Sequence, residues 1–403
     1  MPRAFSSGAR DLACSLNVSA MADSHTDESY LRRALELAKH GIGLTSPNPC
    51  VGAVIVKDEA IVGSGFHTYD RIKHAEVLAL EQAGDKAKGA TVYVNLEPCS
   101  HQGRTGPCAD ALIAADVRRV VACMKDPNPA VQGKGFARLR EAGISVASGI
   151  LEDEARPLNE FFAKYIRYHT PLVTLKTAMT LDGKIAPPPT VPHVPGIGGS
   201  SGGWITGQLA HNHVHQLRHQ NDAIMVGVGT IIADDPLLTD RSRLPRRRPL
   251  MRVILDSRLR LPLTSQVVQT AHDDVVVLCS FAEENRKRQL QEHGIRVEQI
   301  SRATPDGYPD MVGIMERLGE MEITSVLIEG GALVNWAALA SGVVDKVFLY
   351  YAPKILAGTG SVPFAAGTGF ARMNDAAYVK SIRIHHFGED FAVEGYLRDP
   401  YQA

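Results

Sequence analysis

Thr91-Val-Tyr-Val-Asn-Leu96-Glu97-Pro98-Cys99-Ser-His-Gln-Gly-Arg-Thr-Gly-Pro-Cys108-Ala-Asp-Ala-Leu-Ile-Ala-Ala115 is the stretch that decides the fold. Its first six residues are mostly β-branched or aromatic and read as a strand. Two glycines and a proline before Cys108 mark a loop. Cys108 then opens an alanine- and leucine-rich segment that reads as a helix. A cysteine thus stands at each end of a strand-to-helix loop, and a helix N-terminus favours thiolate over thiol. Outward from it, His74-Ala75-Glu76 opens another helical pattern through Val77, Leu78 and Leu80. The region from about Asp27 to Ile150 alternates: a helix at Glu28–His40, strands at Cys50–Val56 and Ala60–Gly65, the His74 helix and the Thr91 strand. The Cys108 helix, a strand at Arg119–Met124, a helix at Lys134–Ala142 and a short strand near Ile144 follow. Strands separated by helices of this length predict an α/β sheet with helices on its faces, a three-layer domain.

His74, Cys99 and Cys108 together offer one imidazole and two thiols, three protein ligands for a tetrahedral zinc with the fourth position left to water. Zinc lowers the pKa of such a water to roughly 7. Glu76, two residues from the histidine, need not bind metal and is placed to carry protons. This is deaminase chemistry, whose pattern is H-x-E followed by P-C-x-x-C. The second cysteine here comes nine positions after the first rather than three. His101, inside the loop, is an alternative ligand by type, but it reads as lining the pocket or facing solvent. A non-catalytic protein with a structural zinc would not need Glu76. A nucleic-acid or free-nucleoside deaminase with an accessory C-terminal domain would need a basic groove.

The chain has 403 residues, more than one hydrophobic core usually organises, so two domains are expected. Its formal net charge of -1 gives no basis for a general nucleic-acid or membrane surface. Two of the six cysteines are assigned to zinc, and Cys14, Cys50, Cys123 and Cys279 show no paired spacing, which points to a reducing cytoplasm. No apolar run reaches transmembrane length. Residues 1–26 read as a disordered extension, because a transit peptide would be longer and an export signal would carry an apolar core.

Residues 151–170 read as a connecting helix opened by Glu152-Asp153-Glu154, acids suited to a first turn. From 171 to 403 a second α/β pattern runs: strand-like Leu172 to Ala178, helix Gln208–His219, and strands at Ala223–Val228, Arg252–Asp256, Val275–Cys279, Ser325–Ile328 and Lys346–Tyr351. Pro187–Gly203 is a proline- and glycine-rich loop. The four histidines His211, His213, His215 and His219 lack the glutamate of H-E-x-x-H and a nearby carboxylate, so they read as a plain polar helix. The basic run Arg241–Arg248 reads as a solvated loop, Arg241 excepted. Ser325 to Gly331 followed by Ala332 to Leu339 is a strand, a two-glycine turn and a helix, a place where backbone can approach a phosphate. Gly227-Val-Gly229-Thr230 and Gly358-Thr-Gly360 add to that signal. No G-x-G-x-x-G opens a βαβ unit, which disfavours a Rossmann domain.

These residues, in order, resemble one family: the bacterial bifunctional riboflavin-biosynthesis deaminase/reductases. The resemblance rests on Asn48-Pro49-Cys-Val51-Gly52, His74-Ala75-Glu76 and the Glu97–Cys108 segment with its nine-residue cysteine step. In the second half it rests on Thr174–Lys184, Trp204-Ile-Thr-Gly207, Ala233–Arg241 and Glu329-Gly-Gly331. It implies a cytidine-deaminase-like N-terminal domain and a C-terminal domain similar in fold to dihydrofolate reductase. It implies hydrolytic deamination of a diamino-phosphoribosylamino-pyrimidine, then NADPH-dependent reduction of the ribosyl group to ribityl. By position, His74, Cys99 and Cys108 would hold Zn2+, with Glu76 as proton shuttle. Ala178, Trp204, Thr230, Asp234 and Gly331, Ala332, Leu333, Val334, Asn335, Trp336 and Ala337 would contact NADPH. Arg218, Leu238, Arg241 and Glu329 would contact substrate, the two arginines clamping its 5-phosphate. Lys176 is a further candidate at the reductive centre. Many relatives carry a serine where this chain has Gly202, with Ser200 or Ser201 the available substitutes. The resemblance also implies a homo-oligomer.

Overall fold

The computed structural model of the chain describes residues 27–188 and 203–402. The proposed extension 1–26, and Gly202 with Ser200 and Ser201, lie outside the described residues. The chain forms two compact units that meet in sequence at Asn159 and Glu160.

In the first unit, strands β1 (Gly52–Lys57), β2 (Ala60–Phe66), β3 (Thr91–Leu96), β4 (Arg119–Met124) and β5 (Ser145–Ser148) form one sheet in the order β2-β1-β3-β4-β5. β1 pairs antiparallel with β2 and β3, and β3-β4-β5 are parallel. The helices are α1 (27–39), α2 (Ala75–Ala83), α3 (Cys108–Ala114) and α4 (Lys134–Glu141). β3 is buried at all six positions, as a central strand covered on both faces must be. Helix α5 (Glu152–Tyr168) breaks helical geometry at Asn159 (φ -122°, ψ 17°), two residues after Pro157, whose missing N–H and ring weaken the helix there.

The second unit is built on a nine-stranded sheet. Its elements are β6 (Leu172–Thr180), β7 (Lys184–Ala186), α6 (Gln208–Gln220), β8 (Ala223–Gly227), α7 (Val228–Asp234), β9 (Met251–Leu255), α8 (Gln266–Gln269), β10 (Val275–Cys279), α9 (Glu284–Glu292) and β11 (Arg296–Gln299). Then come α10 (Met311–Glu320), β12 (Ser325–Gly330), α11 (Ala332–Ala340), β13 (Lys346–Ala352), β14 (Val362–Pro363), β15 (Lys380–Phe387) and β16 (Asp390–Tyr396). The order is β11-β10-β9-β8-β12-β6-β13-β16-β15, parallel as far as β13 and antiparallel for the last two pairs.

Alternation along the strands splits the core between the two faces. Val173, Leu175, Met225, Val276 and Ile328 pack with Ile314 and Leu318 of α10 and Ala338 of α11. Ile224, Val226, Ile254 and Val277 pack with Ile231 of α7, Val267 of α8 and Leu290 of α9. Helix α6 covers Leu327, Phe348 and Tyr350 through Ala210, Val214 and Leu217. The α/β expectation holds in both units. Strands β7, β11 and β14 and the β15–β16 hairpin go beyond the strands that the sequence predicts. The burial pattern of β15 is almost wholly exposed, so hydrophobic alternation cannot announce it. No helix among the described residues is long and apolar enough to cross a membrane.

Candidate active sites

His74 is the N-cap residue of α2, in extended conformation, and Cys108 is the first residue of α3. Cys99 follows β3 by three residues, and its backbone carbonyl accepts from Ala109 N–H at 3.1 Å. The loop therefore folds back so that one sulfur meets the other at a helix start. His74 Nδ1 lies 3.1 Å from Cys108 Sγ and 3.5 Å from Cys99 Sγ, and Cys108 N–H donates to Cys99 Sγ at 3.3 Å. All three candidate ligand atoms lie within 4.8 Å of one another. That donor set fits a tetrahedral zinc with three protein ligands. Contact with Cys108, together with the imidazole of His74, draws the Cys99 thiol below its ordinary range against the effect of burial.

Glu76 sits in the first turn of α2 and is 4% exposed. Burial raises its carboxyl above the ordinary range, with His74 pulling the other way. A carboxyl poised toward neutrality beside a metal-type donor set is equipped to take and return a proton.

The surroundings hold these groups by contacts remote in sequence. His67 is buried, with Nδ1 3.1 Å from the Lys73 carbonyl and Nε2 3.1 Å from Asn48 Nδ2, and its ring meets His74 edge-on at 5.2 Å. The carbonyl can only accept, so Nδ1 carries the proton and Nε2 accepts from Asn48. Asn159 accepts from Cys50 N–H at 2.7 Å and donates to Cys50 O at 3.0 Å, while Asn95 bridges Cys50 O and Gly52 N–H. Glu97 accepts from the amides of Asp126 (3.1 Å), Gly133 (2.9 Å) and Phe136 (3.1 Å). A Cβ on Gly135 would stand 2.0 Å from Pro98 O, so only glycine lets α4 approach the segment that carries Cys99.

The second unit gathers its candidates at the carboxyl ends of neighbouring parallel strands, where open α/β sheets bind ligands. β8 runs into Gly227 and α7, and its neighbour β12 runs into Gly330, Gly331 and α11. Gly331 has φ +82°, and a Cβ there would lie 3.3 Å from Thr230 Oγ1. Two helix starts thus lie side by side. Leu333 in the first turn of α11 is 62% exposed, whereas Asn335 is fully buried and donates to Thr177 Oγ1 (3.2 Å) and Phe364 O (2.6 Å). The Trp336 ring stands edge-on to Phe370 at 5.3 Å. Trp204 is 61% exposed against His211, and Asp234 closes α7. Ala178 lies near the end of β6.

Glu329 receives Arg218 through two bonds (Nε to Oε1 2.6 Å, Nη2 to Oε2 3.0 Å) and Lys176 Nζ at 3.4 Å. Burial would raise the Glu329 carboxyl, but Arg218 and Lys176 outweigh it and hold it at about 2. Burial lowers Lys176, with Glu329 opposing. Arg218 also donates to Thr239 O at 2.9 Å, so its guanidinium is engaged by protein on several sides. Leu238 is 4% exposed, and Arg241 is exposed.

Two readings of polar residues need correction. Arg246 and Arg248 are not solvated. Arg246 donates to the carbonyls of Arg218, His219 and Asn221, and Arg248 to Asp222 and Glu322 O. The α6 histidines do include a carboxylate partner: His219 Nδ1 is 3.0 Å from Asp240 Oδ2. His211, His213 and His215 join no metal-type cluster among the described residues.

An open His-Cys-Cys centre with a buried carboxylate on a five-stranded α/β sheet, followed in the chain by a mostly parallel sheet with two glycine-led helix starts side by side, defines a two-domain deaminase–reductase. Residues 24–124 match the family described as the cytidine and deoxycytidylate deaminase zinc-binding region, and residues 171–393 match the RibD C-terminal domain. The riboflavin biosynthesis protein RibD of Actinobacillus pleuropneumoniae is 40% identical over 93% of this chain and 96% of its own. The structure of Acinetobacter baumannii RibD (form 1) superposes with a TM-score of 0.79 at 36% identity, covering 93% of this chain and 99% of that one. A Thermotoga maritima structure described as a diaminohydroxyphosphoribosylaminopyrimidine deaminase/5-amino-6-(5-phosphoribosylamino)uracil reductase gives 0.76 at 35%, with coverage of 93% and 99%. The chain belongs to the bifunctional deaminase/reductase family of riboflavin biosynthesis.

Proposed function

We propose that the first unit deaminates 2,5-diamino-6-(5-phosphoribosylamino)pyrimidin-4-one and that the second reduces the ribosyl group of the product to ribityl with NADPH. The observation that carries the reading is the convergence of His74 Nδ1 and the sulfurs of Cys99 and Cys108 beside a buried Glu76. These three residues would hold zinc, which when bound supplies a water acidic enough to act as a nucleophile near neutral pH. Glu76, buried beside the three ligand atoms, would take up a proton at its carboxylate and return it to the amino group that leaves as ammonia. His67, neutral and fixed by Asn48 and Lys73 O, packs against His74 and keeps its ring in place.

In the second unit Ala178, Trp204, Thr230, Asp234 and Gly331–Ala337 would hold the cofactor, and the glycine turn would leave backbone N–H groups open to its phosphates. NADPH, when bound, supplies the hydride. Within Gly331–Ala337, Asn335 and Trp336 shape the wall by holding Phe364 and Phe370. Arg218, Leu238, Arg241 and Glu329 form the substrate side, with Arg241 free to face the 5-phosphate and Lys176 available to donate a proton from Nζ. The homo-oligomer implied by the family stands as a proposal to be read from the mass in solution.

The test is incubation of the zinc-loaded protein with the phosphoribosylamino-pyrimidine, followed by mass spectrometry. Without NADPH the expected product has exchanged its amino group for oxygen. With NADPH it also gains two hydrogens. No conversion in either condition sinks the reading.

A further inference from the structure

The segment Asp235–Arg241 carries two of the residues read as substrate contacts, Leu238 and Arg241, and its backbone is strained. Asp235 (φ +42°) and Leu238 (φ +54°) both occupy the left-handed region that side chains other than glycine adopt at a cost. Such a conformation persists only where the surroundings determine it. Here nearly every residue is tied to a different element. Asp235 receives the Gln266 amide at 2.8 Å. Leu237 O receives Arg252, itself 2% exposed and held by Thr270 and Asp274. Thr239 O receives Arg218, and Arg241 N–H donates to His215 Nδ1 at 3.3 Å.

The last tie is ionic and buried. Asp240 Oδ2 meets His219 Nδ1 at 3.0 Å and Arg246 Nη1 at 3.3 Å, while Oδ1 accepts from Ser242 N–H at 2.8 Å. Side-chain exposures are 7% for Asp240, 5% for His219 and 13% for Arg246. Arg246 also caps the end of α6 through the carbonyls of Arg218, His219 and Asn221. One arginine therefore joins the turn that carries Arg241 to the helix that carries Arg218. The arrangement has no part in the hydrophobic core, and it fixes the spacing of two guanidinium groups.

We infer that Asp240, with His219 and Arg246, is a positioning residue that sets where Arg241 presents its guanidinium, and so selects a substrate ending in a phosphate monoester. This rests on the reading of Arg241 as the phosphate contact. The carboxylate holds Asp240 inward, while the neighbouring Arg241 is exposed. Asp240→Asn keeps the shape but removes the charge that pairs with Arg246, so the turn is held more loosely.

The experiment uses the full-length, zinc-loaded protein, with ribose 5-phosphate and ribose as probes in calorimetric titrations, and reduction of deaminated substrate followed alongside. Asp240→Asn should weaken ribose 5-phosphate binding and raise KM for the phosphorylated substrate about tenfold, the scale of one lost charge-assisted bond. kcat with saturating substrate should change less than about threefold. Asp240→Glu should recover part of the affinity, and deamination by the same protein should be unaffected. Equal losses in kcat and KM, with no recovery in the glutamate variant, would show a merely structural role and overturn the inference. So would wild-type protein that binds ribose 5-phosphate no better than ribose. Absence of NADPH-dependent reduction by the wild type, with phosphate-selective binding intact, would instead count against the proposed reaction.

Discussion

Glu329→Gln removes the one anion between two buried cations, and its cost can be worked from the structure. Lys176, Arg218 and Glu329 have side-chain exposures of only 12%, 15% and 7%. Removing one partner of such a group typically costs about 3–5 kcal/mol, because the remaining charge stays buried. The titration of Glu329 gives a second route. Its carboxyl is held at about 2 against an ordinary 4.5. A depressed acid stabilises the fold above its unfolded pKa and loses that contribution as pH falls through the folded one. At 1.36 kcal/mol per unit this amounts to about 3 kcal/mol at pH 7 and about 1 kcal/mol at pH 3. Lys176 works the other way at the alkaline end: burial lowers its pKa, so its cost is relieved as pH rises through the folded value. The chain's two tryptophans, Trp204 and Trp336, both lie in the second unit, so fluorescence during urea denaturation reports that unit alone. The gap between wild type and Glu329→Gln should be about 3 kcal/mol at pH 7 and should narrow by pH 3. A gap below about 1 kcal/mol at pH 7, or one that does not depend on pH, refutes the reasoning.

Three further outcomes are expected. Glu76→Gln should lower the deamination rate by a factor of about 100 to 10,000 while zinc content and reduction of pre-deaminated substrate are retained, as rates and metal analysis of one preparation will show. Cys108→Ala, or prolonged chelation of the wild type, should remove zinc and deaminase activity together and leave NADPH-dependent reduction in place; deamination by metal-free protein would contradict the assignment of that sulfur. Glu97→Ala strands the buried amides of residues 126 and 136 and the part-buried amide of residue 133, at a cost of about 3 kcal/mol. Deaminase activity should then be lost at a temperature several degrees lower, with the tryptophan-reported unfolding of the second unit unmoved.

The residues legible in sequence share a property: their chemistry is rare enough, or their spacing tight enough, to stand out from a polar background. A histidine, a glutamate two positions on and two cysteines flanking a glycine-containing loop form such a pattern. So do the largely apolar runs of β3, β10 and β12, which burial on both faces requires. Strand β15 was invisible for the opposite reason, since an exposed strand on the edge of a sheet has no buried face to pattern its side chains. The groups that hold the sites were equally hidden. Asn159 bonds to Cys50 across 109 positions, Glu97 to Phe136 across 39 and Arg218 to Glu329 across 111. No local rule connects such pairs.

Arg246 shows most clearly why composition fails at these positions. A run of four arginines among six residues, Arg243 to Arg248, reads as a solvated surface because burying several cations is costly. That cost applies to charges left without partners, and the fold supplies partners from the end of α6 and from Asp240. Arg246 donates to carbonyls at the end of α6 and just beyond it, where the last carbonyls of a helix have no partner within the helix. One side chain thus closes a helix end, neutralises a buried carboxylate and fixes a strained turn. Its cation is needed at all three places at once, and only the tertiary structure brings them within reach of one guanidinium.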